Sequence, residues 1–200
     1  MIPSYGPVEM DCRVRERMLP RQEWLSDLDM KSRITSALAS ALFLVIAPGT
    51  VAGYVPWRLS GWRVEPPLLG WPWLRAFGVL LLAAGLPVLL DSFARFSLAG
   101  RGTPAPIMPT DQLVVSGLYR YVRNPIYLAV LAIIVGQGLL FGITAVLVWA
   151  GVVAAACHVF VVGYEEPTLR RRYGQDYDTY CAAVRRWWPR WWSWQGPGER

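Results

Sequence analysis

The stretch PIYLAVLAIIVGQGLLFGITAVLVWAGVVAAACHVFVVGY, residues 125–164, decides the fold of this chain, because its 40 residues include no Asp, Glu, Lys or Arg. As one straight helix it would extend about 60 Å at the usual rise, twice the hydrocarbon thickness of a bilayer. The run must fold back, and Phe141-Gly142-Ile143-Thr144 is the predicted turn. Two more stretches carry no charge, residues 34–57 and 76–90. Each supplies one span, the first read as Ile34–Tyr54 with Pro48 and Gly49 as a kink, the second as Trp73 to Phe96. The expected fold is all-α: a multi-pass transmembrane helical bundle of four spans, the last two a helical hairpin, with a cytoplasmic C-terminal helix.

Composition agrees with a bilayer as the solvent. Apolar residues make up 54% of the chain and charged residues 17%, and mean hydropathy is +0.30. The apolar run at Ile34 follows a long polar segment with several acids, whereas a signal peptide has a short basic start, so an uncleaved span is expected. Four spans put residues 1–31, the loop between Arg95 and Arg123 and the C-terminal tail on one side. That side collects most of the arginines, while Arg58, Arg63 and Arg75 fall on the other. Positive charge marks the cytoplasmic face. The basic pI of about 9.5 is explained by topology and contact with anionic lipid, and no nucleic acid is implied.

Cys12, Cys157 and Cys181 show no ligand spacing and are expected to be free thiols, and His158 makes no metal site with them. Gly136-Gln137-Gly138 follows no strand, so it is no dinucleotide fingerprint, and its small residues suit close helix packing. Asp91 is expected to pair with Arg95 one helical turn on.

Two polar segments close the hairpin. In Tyr119-Arg120-Tyr121-Val122-Arg123-Asn124-Pro125-Ile126-Tyr127, Asn124 fits an N-cap and Pro125 the first helical turn. Arg123 then lies at the positive end of a helix dipole, which calls for an anion between the two. In Tyr164-Glu165-Glu166-Pro167, two acids close the last span, where the dipole disfavours them. Alternatively they open the next helix with Pro167 in its first turn. His158 shares a helical face with Glu165 and forms a polar stripe in the span. The hairpin makes Arg123 and Glu165 neighbours, either as a plain salt bridge or as the two poles of a site for a zwitterion.

Downstream, Tyr173, Tyr177, Tyr180 and Val184 fall on one face of a tail helix beginning at Pro167. The segment Arg185-Arg186-Trp187-Trp188-Pro189-Arg190-Trp191-Trp192-Ser193-Trp194 reads as an interfacial anchor.

The ordered set Gly-x-Tyr-x-x-x-Arg-Asn-Pro-x-Tyr, an apolar hairpin, Glu-Glu-Pro-x-Leu and a basic, proline-containing end resembles the isoprenylcysteine carboxyl methyltransferase and phospholipid N-methyltransferase superfamily, over residues 113–189. Asn124 stands where the isoprenylcysteine enzymes usually carry His, so the match is nearer to phospholipid methyltransferases and bacterial relatives. The resemblance implies an S-adenosylmethionine-dependent methyltransferase in a bacterial inner membrane, with its active site facing the cytoplasm. The organisation expected is a cytoplasmic segment 1–31, two spans and an inner loop in 32–112, a catalytic region 113–190 and a tail 191–200. Arg123, Glu165 and Glu166 are the implied catalytic residues. Tyr119, Arg123, Asn124, Pro125, Tyr127, Glu165 and Glu166 are implied around the cofactor, and Gln137 and His158 are candidates for substrate contact. The acceptor is expected to be lipid-like and to enter from the bilayer. Two other classes fit the pattern, an NADPH-dependent membrane lipid or sterol reductase and a non-enzymatic membrane protein in which Arg123–Glu165 is only an ion pair.

Overall fold

The structure, a computed structural model, describes residues 42, 45–98 and 115–195. The polar segment 1–31 with Cys12, most of the Ile34–Tyr54 span, residues 99–114 of the inner loop, the side chain of Arg95 expected to pair with Asp91, and residues 196–200 lie outside the described residues.

All regular structure among the described residues is helical. Helical residues 45–49 pass through a π-helical turn (Thr50–Tyr54) into α1 (Val55–Ser60), so this helix runs six residues past its predicted end at Tyr54. Gly61, at φ 55°, stops it. After a 3₁₀ turn (Leu68–Gly70) come α2 (Trp73–Leu98), α3 (Pro125–Phe141), α4 (Thr144–Phe160), α5 (Glu166–Tyr173) and α6 (Gln175–Ala183). The predicted turn is where α3 ends and α4 begins. Gly142 adopts φ 77°, and a Cβ there would collide with the carbonyl oxygen of Pro66. The loop before α2 is fastened to the same turn by the Glu65 amide, which donates to Phe141 O at 2.9 Å.

Two helices among the described residues are long and apolar enough to cross a membrane, Trp73–Ala94 and Thr144–Tyr173. α3 is apolar but shorter, at 17 residues. Leu80 and Leu90 on α2 and Val148, Val152 and Val159 on α4 face outward, as a lipid-facing surface requires and a water-facing one rarely shows. Inside, Leu89 and Phe93 pack with Ile133, Ile134 and Val146. The antiparallel α2 and α3 approach closely because neither carries a side chain where they cross. A Cβ on Gly78 would lie 2.7 Å from Gly136 O, and one on Gly136 2.8 Å from Gly78 O. Glycine packing lets the backbones touch where hydrophobic driving force between helices is weak.

Prolines explain the two π-helical turns. Pro56 has no N–H to offer the Ala52 carbonyl four residues earlier. Gln137 Nε2 donates to that carbonyl at 2.6 Å, and Trp149 Nε1 donates to the neighbouring Val51 O at 2.9 Å. A second π-helical turn (Val161–Glu165) precedes Pro167 in the same relation. Extra residues in a turn are a common way for a helix to pass a proline without breaking. As a result, the helix containing α4 does not end at Glu165-Glu166. It continues through α5 to Tyr173, which corrects the expectation of two acids at a free helix C-terminus. The predicted single tail helix is also two pieces, α5 and α6, separated at Gly174 with φ 51°. Tyr177, Tyr180 and Val184 are nevertheless buried together, with Tyr173 packed against them.

Candidate active site at the mouth of the hairpin

At the end opposite the Gly142 turn, α3 begins beside the point where α4 passes into α5. Asn124 occupies the N-cap position and Pro125 the first turn of α3, as their residue types direct. The Asn124 side chain, however, does not cap the helix. Its Nδ2 donates to Arg186 O at 3.2 Å. The amide of Arg123 donates to Arg185 O at 3.0 Å, that of Arg190 to Tyr121 O at 2.9 Å and that of Trp194 to Arg120 O at 3.0 Å. A C-terminal strap, residues 185–195, is thereby laced along residues 120–124.

The strap completes an ionic cluster. Glu166 accepts from Arg186 in a fork, Nε to Oε1 at 2.6 Å and Nη2 to Oε2 at 2.8 Å. Arg123 Nη1 lies 3.1 Å from Glu166 Oε1 and donates to Cys181 Sγ at 2.7 Å. The side chains of Glu166 and Arg123 are only 10% and 12% exposed, and that of Arg186 30%. Paired guanidinium–carboxylate contacts of this geometry are the strong kind. The predicted partnership is thus corrected by one residue: Arg123 pairs with Glu166, not Glu165. A helical step of 100° sends adjacent residues to different faces, and only Glu166 turns toward the strap. Glu166 thus supplies one anion beside Arg123 from within the chain.

Glu165 faces a different set. Its Oε2 accepts from the Tyr127 hydroxyl at 2.9 Å, a neutral partner. The Tyr127 ring meets the edge of Trp187 at 6.4 Å, and Trp187 Nε1 donates to His158 Nδ1 at 3.2 Å. Tyr119 is tied in by its carbonyl, which accepts from Tyr180 Oη at 2.7 Å. Burial pushes the hydroxyls of Tyr119 and Tyr180 above the usual tyrosine range, and the Glu165 carboxylate adds to the rise at Tyr119. Both remain protonated donors. Among the described residues, Arg123 Nε is a buried polar atom of this cluster without a hydrogen-bond partner. An unmet guanidinium N–H is costly unless an acceptor reaches it.

Residues 73–176 match the model of the phospholipid methyltransferase family. The chain belongs to that family. No curated protein and no solved structure matches it. The family lies within the superfamily of isoprenylcysteine carboxyl methyltransferases and phospholipid methyltransferases, and membership makes this a membrane methyltransferase of lipid-like substrates. The family match starts at Trp73, at the head of α2, well before the resemblance at residue 113. The glycine-packed α2–α3 pair therefore belongs to the family region together with Arg123, Tyr127, Glu165 and Glu166, while Cys181, Arg186 and Trp187 lie beyond it.

Of the residues singled out in the sequence, Tyr119, Arg123, Asn124, Pro125, Tyr127, Glu165 and Glu166 gather at this mouth, and His158 joins them through Trp187. Gln137 does not. It lies deep in the bundle, about 20 Å from Asn124 along α3 at 1.5 Å per residue, and its amide serves the Ala52 carbonyl. Arg186, Trp187 and Cys181 were not expected at the site. The Arg-Arg-Trp-Trp run was a visible signal, but its composition suited a membrane anchor equally well.

Proposed function

We propose that this member of the phospholipid methyltransferase family uses S-adenosylmethionine to methylate a lipid-like amphiphile at the mouth of the hairpin. The observation that carries the reading is the buried, unpartnered Arg123 Nε at the same mouth as Glu165, a carboxylate hydrogen-bonded to the neutral Tyr127 hydroxyl. A ligand with an anionic group for the first and a cationic group for the second satisfies both. The amino-acid end of S-adenosylmethionine offers a carboxylate and an ammonium, next to a sulfonium and ribose hydroxyls. When bound, this cofactor supplies a methyl group already activated for transfer.

In this reading Arg123 binds the carboxylate while Glu166 and Arg186 hold its guanidinium in place. Glu165, fixed by the Tyr127 hydroxyl, holds the ammonium or the ribose hydroxyls. The rings of Tyr119 and Tyr127 provide aromatic surface for the adenine or for a cationic sulfur. The chain's remaining tasks are to align the acceptor and exclude water. An amine acceptor must shed a proton, for which Glu165 or His158 is in reach of the mouth, whereas a carboxylate acceptor needs no base. The proposed topology has four spans with both termini and α6 in the cytoplasm. The catalytic region is then 113–190, with the acceptor arriving sideways from the leaflet and the cofactor from the aqueous side. The setting is an inner membrane.

Purified protein in detergent should bind S-adenosylmethionine in a calorimetric titration, and Arg123→Met should abolish the heat. Membranes given methyl-labelled cofactor should place label in the lipid extract. A folded protein that binds a nicotinamide dinucleotide and not S-adenosylmethionine would overturn the proposal in favour of reductase chemistry.

A further inference from the structure

The C-terminal strap lies beyond the family-matched residues 73–176, and of its side chains the methyl-transfer reading uses only Arg186. Its outer surface carries Trp188, Trp191 and Trp192, which are 74%, 89% and 78% exposed. Three tryptophans within five residues with that exposure have no partner among the described residues that would account for them.

Their neighbour Trp187 marks the level at which the strap begins. Trp187 donates to His158 Nδ1, and His158 lies seven residues before Glu165 on the apolar helix Thr144–Tyr173. Seven residues correspond to about 10 Å of helix. The start of the strap therefore reaches from the ionic cluster onto the flank of a candidate span, on which Val159 and Val162 face outward. Tryptophan concentrates at this level of a membrane, where an apolar ring and a polar N–H are both accommodated. Arg185 and Arg190 accompany the tryptophans in the sequence, and the chain's formal charge is +6, which complements an anionic leaflet.

We propose that Trp188, Trp191 and Trp192 dock onto the headgroup–acyl boundary of the bilayer leaflet at the hairpin mouth, and that this docking holds Arg186 on Glu166 and Trp187 against Tyr127. The partner is the lipid surface itself. The backbone ties to residues 120–123 and the fork to Glu166 make the strap one piece, so a strap lifted from the leaflet loosens the wall of the site. This inference rests on the hairpin crossing the bilayer, not on the cofactor.

The test uses the full chain in nanodiscs containing anionic lipid, with and without bromine on the acyl chains near the headgroup. In W188S/W191S/W192S, brominated lipid should quench less tryptophan fluorescence, by roughly a quarter if the eleven tryptophans contribute equally. Hydrogen exchange at the Arg190 and Trp194 amides should accelerate by roughly tenfold. These three side chains are exposed, so the substitutions remove no core packing, and W188Y/W191Y/W192Y should restore the slow exchange of the Arg190 and Trp194 amides. Equal quenching in the wild type and the serine variant overturns the docking, including the case where the serine variant converts a dimer into a monomer. Reduced quenching with unchanged amide exchange overturns the coupling to the site. Absence of quenching in both proteins overturns the bilayer-spanning reading as well, whatever the cofactor.

Discussion

The fork between Arg186 and Glu166 joins the strap to the helix that carries Glu165, and its strength can be measured by a double-mutant cycle of Glu166→Gln and Arg186→Gln. Two hydrogen bonds between charged groups are at stake, at 2.6 and 2.8 Å. Each such bond contributes about 1.5–3 kcal/mol when buried. Arg186 retains partial contact with water, which screens the pair, so a coupling energy of about 2 kcal/mol is expected. Glu166→Gln alone should cost about 3 kcal/mol, because it also leaves the largely buried Arg123 without its counter-charge. Arg186→Gln should cost about 2.5 kcal/mol, and the double variant about 3.5 kcal/mol, well below the two single costs taken together. The assay is reversible unfolding in mixed micelles, followed by tryptophan fluorescence. Additivity of the two single variants to within about 0.5 kcal/mol would refute the account of the strap as ionically locked to Glu166.

Other consequences concern separate parts of the molecule. Glu165→Gln removes a charge but keeps an acceptor for Tyr127, so S-adenosylmethionine affinity should fall roughly tenfold or more in calorimetry, with little change in unfolding midpoint. Equal affinity would exclude Glu165 from the cofactor's cationic groups. Gly136→Ala should destabilise the bundle by about 1–3 kcal/mol, since its Cβ would sit 2.8 Å from Gly78 O, and micelle unfolding checks it. Gln137→Leu should cost about 1 kcal/mol in the same assay by leaving Ala52 O without its donor, while label transfer per folded molecule stays at the wild-type level. A selective loss of acceptor binding in that variant would return Gln137 to the substrate.

Much of the architecture could be read from local chemistry. A 40-residue uncharged run exceeds the bilayer thickness, and Gly142, near its middle, can take a left-handed turn, so the α3–α4 hairpin followed directly. Asn124-Pro125 marked the start of α3, and the Gly136-Gln137-Gly138 stripe marked a close helix contact, since the absence of a Cβ has its effect wherever the partner backbone lies. What failed depended on through-space geometry. Pro167 looked like the start of a separate tail helix, but a π-helical turn absorbs it and the helix runs on to Tyr173.

By itself, then, the sequence determined that the chain has apolar helices, a hairpin and a one-sided cluster of Arg123, Glu165 and Glu166, because charge and hydropathy act residue by residue. Only the tertiary structure decided which carboxylate takes which partner. Adjacent acids on a helix point about 100° apart, so the choice between Glu165 and Glu166 for Arg123 depends on helix rotation and on the π-helical turn before them. It also decided that the tryptophan–arginine end folds back to supply Arg186 and Trp187, since a contact between residues twenty or more positions apart has no signature in the local pattern of either.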